Sequence, residues 1–282
     1  MTDAGFVSLD DLVRHIGDGA SLAIPPDYSG AAMAATASLV RRGVRRLHVV
    51  AVPTSGLQAE WLIGGGCVAT LEAAAITLGE FGPAPRFAEG IRSGAFTMRD
   101  STCPAIHAAF QAAEKGIPFM PLRGLIGSDI LKHRPDWRVI DSPFAEPSAG
   151  RDPIVLLPAI RPDFALFHAE LGDRHGNVWI GRRRELMTMA HAARASLVTV
   201  ERIYDGDLLA DETMAAGTLS GMYVEAVAHV PRGAWPLAFA DAYPLDADEM
   251  ARYVRLAQSA DGFHIYMADP DRTRSQDVAA AE

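Results

Sequence analysis

Cysteine is scarce: Cys67 and Cys103, far apart in the chain, are the only two in 282 residues. A disulfide framework and a multi-cysteine zinc site are thereby excluded, and a reducing compartment fits. No run of eighteen apolar residues occurs, so no membrane-spanning helix is expected. The opening "MTDAGFVSLDDLVRHIGDG" carries acids and no apolar signal core, so a secretory peptide is not expected either. Positive charge is also short, with 26 Lys and Arg against 35 Asp and Glu and a net charge of −9. Non-specific nucleic-acid binding needs the opposite balance. The phosphate loop GxxxxGK[ST] and the serine-hydrolase elbow GxSxG are both absent. These absences leave a cytoplasmic protein with neither membrane nor nucleic acid as a partner.

What is present is a core: 49% of residues are apolar, enough for one large α/β domain. Helical and strand patterns alternate. Ser8 caps an amphipathic "LDDLVRHI", and "GASLAI" reads as a turn and a short strand. "SGAAMAATASLVRRG" is a small-residue helix stopped by Gly43. "RLHVVAV" is a buried strand. A short helix follows, ending at "IGGG", then strand "CVATLEAAAIT" and a Gly/Pro-rich loop at "GEFGPAPRF". "STCPAIHAAFQAAEKG" is a helix with Pro104 in its first turn and Gly116 at its end. Residues 117–153 read as a long irregular, proline-rich segment, a length that in compact domains tends to carry function. Strands "FALFHAE" and "NVWIG", helix "RRELMTMAHAARA", strand "SLVTVERI" and helix "DADEMARYVRLAQS" complete the pattern. The expected fold class is α/β, an open and mostly parallel sheet with helices on both faces. One domain is expected over residues 1–270, with a flexible polar tail at 271–282.

Four segments tempt a chemical reading. "FALFHAELGDRHGNVWIG" holds His168, Glu170, Asp173 and His175, and in a strand His168 and Glu170 share a face. The bland alternative is a tight turn in which Gly176 and Asn177 take positive φ, Asp173 binds local backbone and His175 sits at the tip. That turn is preferred over a metal site. "HAE" also matches the zinc-deaminase HxE, but the required PCxxC is missing. "LIGGGCV" offers Gly64, Gly65 and Gly66, whose backbone could approach a phosphate or a thioester carbonyl, or could merely permit close packing. They precede a strand-like run, so they do not form a dinucleotide fingerprint. "RDSTCPAI" sets Asp100, Ser101 and Thr102 at a helix start, where hydroxyls and free N–H groups hold anions; helix capping is the plainer reading. Cys103 at that start is a candidate nucleophile with no evident base. No metal is expected.

Taken in order, "DGASLAI", "RRGVRRLHVVAV", "LIGGGCV", "AAEKGIPFMPLRGLIGSD" and "DFALFHAELGDRHGNVWIG" leading to "TVERI" resemble the α subunit of class I CoA-transferases, of the glutaconate type. The likeness runs from about Leu9 to about Gly233. It implies a fold related to ribose-phosphate isomerase, a CoA thioester as substrate, no permanently bound cofactor, and a carboxylate as the second substrate. It also implies a separate β subunit, which carries the nucleophilic glutamate in a Ser-Glu-Asn-Gly motif that this chain lacks. Expected contacts to substrate or CoA are Tyr28, Ser29, Thr54, Ser55, Gly64, Gly65, Gly66, Ser101, Thr102 and Arg123. Two departures stand out. Pro25, Pro26 and Asp27 replace the family's Gly-Gly-Phe, and Gly233-Ala234-Trp235-Pro236 replaces Gly-Ala-x-His-Pro. Prolines remove N–H donors, so both changes bear on substrate choice. A ring-opening or thioester hydrolase on the same scaffold is the alternative, with Asp100 as the α-chain acid. A sugar-phosphate-binding relative is a third.

Overall fold

The computed structural model describes residues 5–146 and 150–269; the tail expected at 271–282 lies outside them. Seven parallel strands form the centre: β1 (Ser21–Ile24), β2 (Leu47–Ala51), β3 (Val68–Ala73), β4 (Thr97–Asp100), β5 (Phe164–Gly172), β6 (Ala195–Ile203) and β7 (Val224–His229). Their spatial order is β7-β6-β5-β1-β2-β3-β4. Short antiparallel strands Val178–Trp179 and Thr218–Leu219 extend the sheet beside the end of β5. Period-two alternation divides the core in two. Leu22, Ile24, Val49, Leu166 and Leu197 face the helices Leu9–Arg14, Met33–Arg42 and Leu57–Gly64. Ala23, Val50, Phe167 and Val198 face the helices Cys103–Glu114 and Arg184–Ala192. The centre of the sheet is therefore covered by helices on both faces, as a parallel sheet requires.

Helix ends follow the expected chemistry. Ser8 accepts the Asp11 N–H, Thr102 accepts the Ala105 N–H, and Gly43 closes its helix in the left-handed region at φ 70°. Four expectations need correction. The Gly/Pro-rich loop at 79–87 contains the start of a helix, Pro85–Ser93, because Pro85 stands at a first-turn position where its missing N–H costs nothing. The irregular segment 117–153 supplies two strands of a small antiparallel sheet, Phe119–Leu122 and Arg138–Asp141, which flank Pro153–Pro158. Its prolines are compatible because Pro121 lies on an edge strand and Pro153 opens its strand. The helix Ala247–Leu256 is followed by another, Ala260–Ala268, capped by Ser259, to which the sequence pattern assigned no element. Strand β7 was not foreseen. Among the described residues no helix is long and apolar enough to cross a membrane.

The sheet order reverses between β1 and β5. Chain passes from β1 toward β4 on one side and from β5 toward β7 on the other. In open α/β sheets, the crevice beyond the carboxyl ends of the strands at such a reversal is where ligands bind.

Candidate active site

The Pro25–Gly30 turn leaves β1 directly into that crevice. Beyond the carboxyl ends of β2 and β3, Thr54–Ser55 and Ala75–Ile76 pair as a short parallel ribbon. The turn, the ribbon and the segment after Trp235 surround a cavity of about 540 Å³. Its polar lining includes Asp27, Tyr28, Thr54, Ser55, Thr77 and Glu80. Its apolar lining includes Leu78, Phe81, Leu237, Leu245 and Met250.

Asp27 dominates this cavity. One carboxylate oxygen, Oδ2, accepts the Leu57 N–H at 2.9 Å, at the start of the Leu57–Gly64 helix. The other, Oδ1, is buried without a hydrogen-bond partner. Burial pushes the carboxyl up to about 6, against the N–H groups of Leu57, Gly56 and Gln58, which favour the ionised form. Gly56 makes this approach possible, because a Cβ there would collide with the Asp27 carboxylate. Ser55 Oγ is likewise buried and unpartnered. Tyr28 stands on the rim, 77% exposed. Its neighbour Ser29 turns the other way and donates to Glu185 on the Arg184–Ala192 helix.

A second polar group lies beyond β4. Asp100 ends that strand, is solvent-exposed, and accepts the Ser101 N–H at 3.1 Å. Thr102 is consumed as the cap of the following helix. Ser101 is buried, and its Oγ has no partner. It lines a cavity of about 300 Å³ between the sheet, the Cys103–Glu114 helix and the small antiparallel sheet. There Arg134 joins Glu72 at 2.8 Å and Asp136 at 2.9 Å, and Arg99 joins Asp136 at 3.0 Å. Burial would raise the Glu72 carboxyl, but His48, Arg134 and Arg99 outweigh it and hold it below its usual range. Beside the first cavity, burial raises the Tyr28 hydroxyl, with smaller contributions from Glu185 and Cys103. Burial lowers the His107 imidazole, and Glu185 opposes that shift.

The structure thus brings together Tyr28, Thr54 and Ser55 in one cavity, and sets Asp100, Ser101 and Thr102 at the same edge of the sheet. Gly64, Gly65 and Gly66 are elsewhere. They precede β3, at its amino-terminal end, so a strand of six residues, roughly 20 Å, separates them from the carboxyl edge. A Cβ on Gly64 would strike the Phe263 ring, and one on Gly65 the Val40 methyls. Close packing is what these two glycines provide. Arg123 is also elsewhere: it follows the strand Phe119–Leu122 and pairs with Asp152 at the end of the small antiparallel sheet.

The stretch around His168 is closed to ligands. His168 is fully buried, with Nδ1 on Thr199 Oγ1 at 2.8 Å and Nε2 on Glu201 Oε2 at 2.9 Å. Burial lowers its pKa, and the contact with Glu201 does not restore it. Asp173 binds local backbone as the turn reading requires, His175 is exposed at the tip, and Gly176 has φ 80°. Asn177 departs from that reading. Its φ is not positive, and its side chain donates to Asp173 and accepts the Gly221 N–H. The Gly233–Pro236 segment packs here too, since a Cβ on Gly233 would collide with the His168 ring.

Asp27 and Glu185 were not among the residues expected at the site. Asp27 carried a signal, being the acid directly after two prolines at a strand end. Glu185 carried none beyond its place in a helix's first turn.

Residues 6–229 match the family model described as coenzyme A transferase. The chain is 31% identical over 230 residues to a 3-oxoadipate CoA-transferase subunit of Pseudomonas knackmussii, covering 79% of this chain and 77% of that one. It is 28% identical over 271 residues to the cholesterol ring-cleaving hydrolase IpdA subunit of Rhodococcus jostii, covering 93% and 90%. The crystal structure of glutaconate coenzyme A-transferase from Acidaminococcus fermentans superposes with a TM-score of 0.83 at 25% identity, covering 93% of this chain and 87% of that one.

Proposed function

Because the chain belongs to the coenzyme A transferase family, we propose that it is the α subunit of a cytoplasmic two-chain enzyme that exchanges CoA between carboxylic acids. The observation that carries this reading is the condition of the acids at the crevice. Asp27 is committed to a helix start, Glu185 to Ser29, and Glu80 stands exposed. A nucleophilic glutamate held against the face of the thioester carbonyl is best supplied by a second chain, and the transferase relative is itself one subunit of its enzyme by name. On this reading the partner's carboxylate attacks the thioester carbonyl and expels CoA thiolate, leaving a mixed anhydride. The thiolate then attacks the glutamyl carbonyl of that anhydride, releasing the first acid and leaving a glutamyl-CoA thioester. The incoming acid reverses both steps. This chain contributes the cavity wall, the Thr54 and Ser55 hydroxyls and the Tyr28 rim.

The test is co-purification with the partner, followed by borohydride or hydroxylamine trapping in the presence of acyl-CoA. Label on a partner glutamate and acid-dependent CoA exchange support the reading. Robust exchange by the isolated chain overturns it. A second reading, water-dependent hydrolysis with Asp100 as general base, is favoured by the exposure of Asp100 and by the hydrolase relative. Water-dependent CoA release with no trapped thioester distinguishes it.

A further inference from the structure

A helix start normally offers free N–H groups to an anion. At the Leu57–Gly64 helix, whose cap residue Gly56 lines the 540 Å³ cavity, that position is already taken by the chain's own carboxylate, Asp27. The charged residues lining the cavity are Asp27 and Glu80, and neither Lys, Arg nor His is among the lining residues. The remaining wall is mostly apolar, with Leu78, Phe81, Leu237, Leu245 and Met250. The volume lies within the range of about 300–1,000 Å³ typical of small-molecule sites.

We propose that this cavity receives the acyl end of the thioester, and that Asp27 restricts it to acyl groups that are apolar and uncharged at their distal end. The proposal rests on the CoA-ester reading above and adds the substrate class. A distal carboxylate would meet an ionised Asp27 with no cation to offset it. Like charges brought together without water are among the most effective ways to reject a competing ligand. Glu80 adds to the repulsion from the Gly79–Phe81 turn. The other elements around Asp27 bring no charge toward it: the Leu57–Gly64 helix presents backbone N–H groups, and the wall from Leu237 to Met250 presents side chains of Leu, Ala and Met. The Asp27 carboxyl, pushed up to about 6 by burial, makes the restriction sensitive to pH. Above that value Asp27 is charged and rejects an anion. Below it the carboxyl is neutral, and its proton can be donated to an oxygen of the ligand.

The test is calorimetric binding of butyryl-CoA and glutaryl-CoA to the complex of this chain with its partner, between pH 5.5 and 8. The CoA phosphates are common to both probes, so the ratio of affinities isolates the acyl end. The expected ratio is about 10- to 100-fold in favour of butyryl-CoA at pH 7.5, falling to a few-fold at pH 5.5. Asp27→Asn should flatten that dependence, and the wild-type series tests the idea even if this variant does not fold. Equal affinity at pH 7.5, or preference for glutaryl-CoA, overturns the acyl class and leaves the CoA-ester reading intact. A ratio that keeps its pH dependence in Asp27→Asn overturns the role of Asp27. Failure of the complex to bind either ester overturns the CoA-ester reading and the acyl class with it.

Discussion

Asp173 and Asp27 are both aspartates in turns at strand ends, and they differ in how fully they are satisfied. Asp173 is buried and accepts four hydrogen bonds, from the backbone N–H groups of His175, Asn177 and Leu208 and from the Asn177 side chain. Asp27 has one partnered oxygen and one buried oxygen left bare. The same contrast extends to their surroundings. Along β5, the strand that leads into the Asp173 turn, both His168 nitrogens are engaged, and so are both oxygens of its partner Glu201. Around Asp27, the hydroxyl of Ser55 is unpartnered as well. Folded proteins rarely leave buried polar atoms unpaired without a use for them. The turn containing Asp173 is an internal brace, whereas the cavity containing Asp27 keeps unpaired polar atoms and is the one proposed above to receive the acyl group. The residue types are alike in both places, so motif reading by type alone could not separate them.

The largest expected effect lies in the brace. Asp173→Ala leaves several donors without an acceptor, including the buried Asn177 N–H. Each stranded buried group costs about 1–3 kcal/mol, so a total loss of ~3–5 kcal/mol is expected. Urea denaturation should show the midpoint fall accordingly. A shift within error of wild type would mean that the turn holds itself without Asp173, and the comparison would collapse.

Next comes Gly65→Val, which asks whether the glycine cluster belongs to the core or to the site. Its Cβ meets the Val40 methyls, and overpacking of this kind costs about 1–3 kcal/mol. The expected outcome is a lower denaturation midpoint, with residual activity scaling with the folded fraction. A normal midpoint with abolished turnover would return these glycines to the substrate cleft.

Asp27→Asn should act in the opposite direction to Asp173→Ala. The folded-state carboxyl titrates at about 6, above its ordinary 3.8, so the folded chain binds a proton more tightly than the unfolded one. Stability is therefore lost as pH rises through the window from about 4 to about 6, and the loss is complete above it. Asparagine keeps an acceptor for Leu57 and carries no charge. It should stabilise the fold by at most about 3 kcal/mol at pH 7.5 and give little or no gain near pH 4. Thermal melts across pH would read this directly, and a destabilised variant at pH 7.5 would show that Asp27 is as well satisfied as Asp173.

These contrasts mark what the sequence could and could not reveal. Alternating apolar runs with capped helices between them were enough for the parallel sheet, because Ser8, Thr102 and Gly43 act within a few residues of themselves. The strand–turn–strand at 164–179 was readable for the same reason. The helix at Pro85–Ser93 and the small sheet built from 119–158 were hidden by prolines, whose meaning depends on whether they stand at a first turn or on a sheet edge. Asp27 was hidden by distance: its partner Leu57 lies thirty residues away in the chain, and no local pattern announces such a pairing. The glycine run misled because "GGG" looks alike whether it faces a ligand or the Phe263 ring.

The smallest expected effect is at Asp100, and it tests the choice between transfer and hydrolysis. Asp100 is exposed, and its carboxylate accepts the N–H of the next residue while its backbone carbonyl accepts Arg134 at 3.1 Å. Asparagine preserves an acceptor and nearly the same shape. If a partner glutamate is the nucleophile, Asp100→Asn should keep CoA exchange within about tenfold of wild type, because no proton passes through this residue. If Asp100 is the general base, the same change removes the proton acceptor, and positioned bases are worth roughly 10²–10⁴-fold. Measuring kcat for acid-dependent exchange and for water-dependent CoA release on one preparation of the two-chain complex separates the outcomes. Retained exchange together with a trapped partner thioester leaves Asp100 an orienting group. A loss of two or more orders of magnitude in CoA release, with acyl-CoA binding intact, would make Asp100 the working acid of this chain and hydrolysis its reaction.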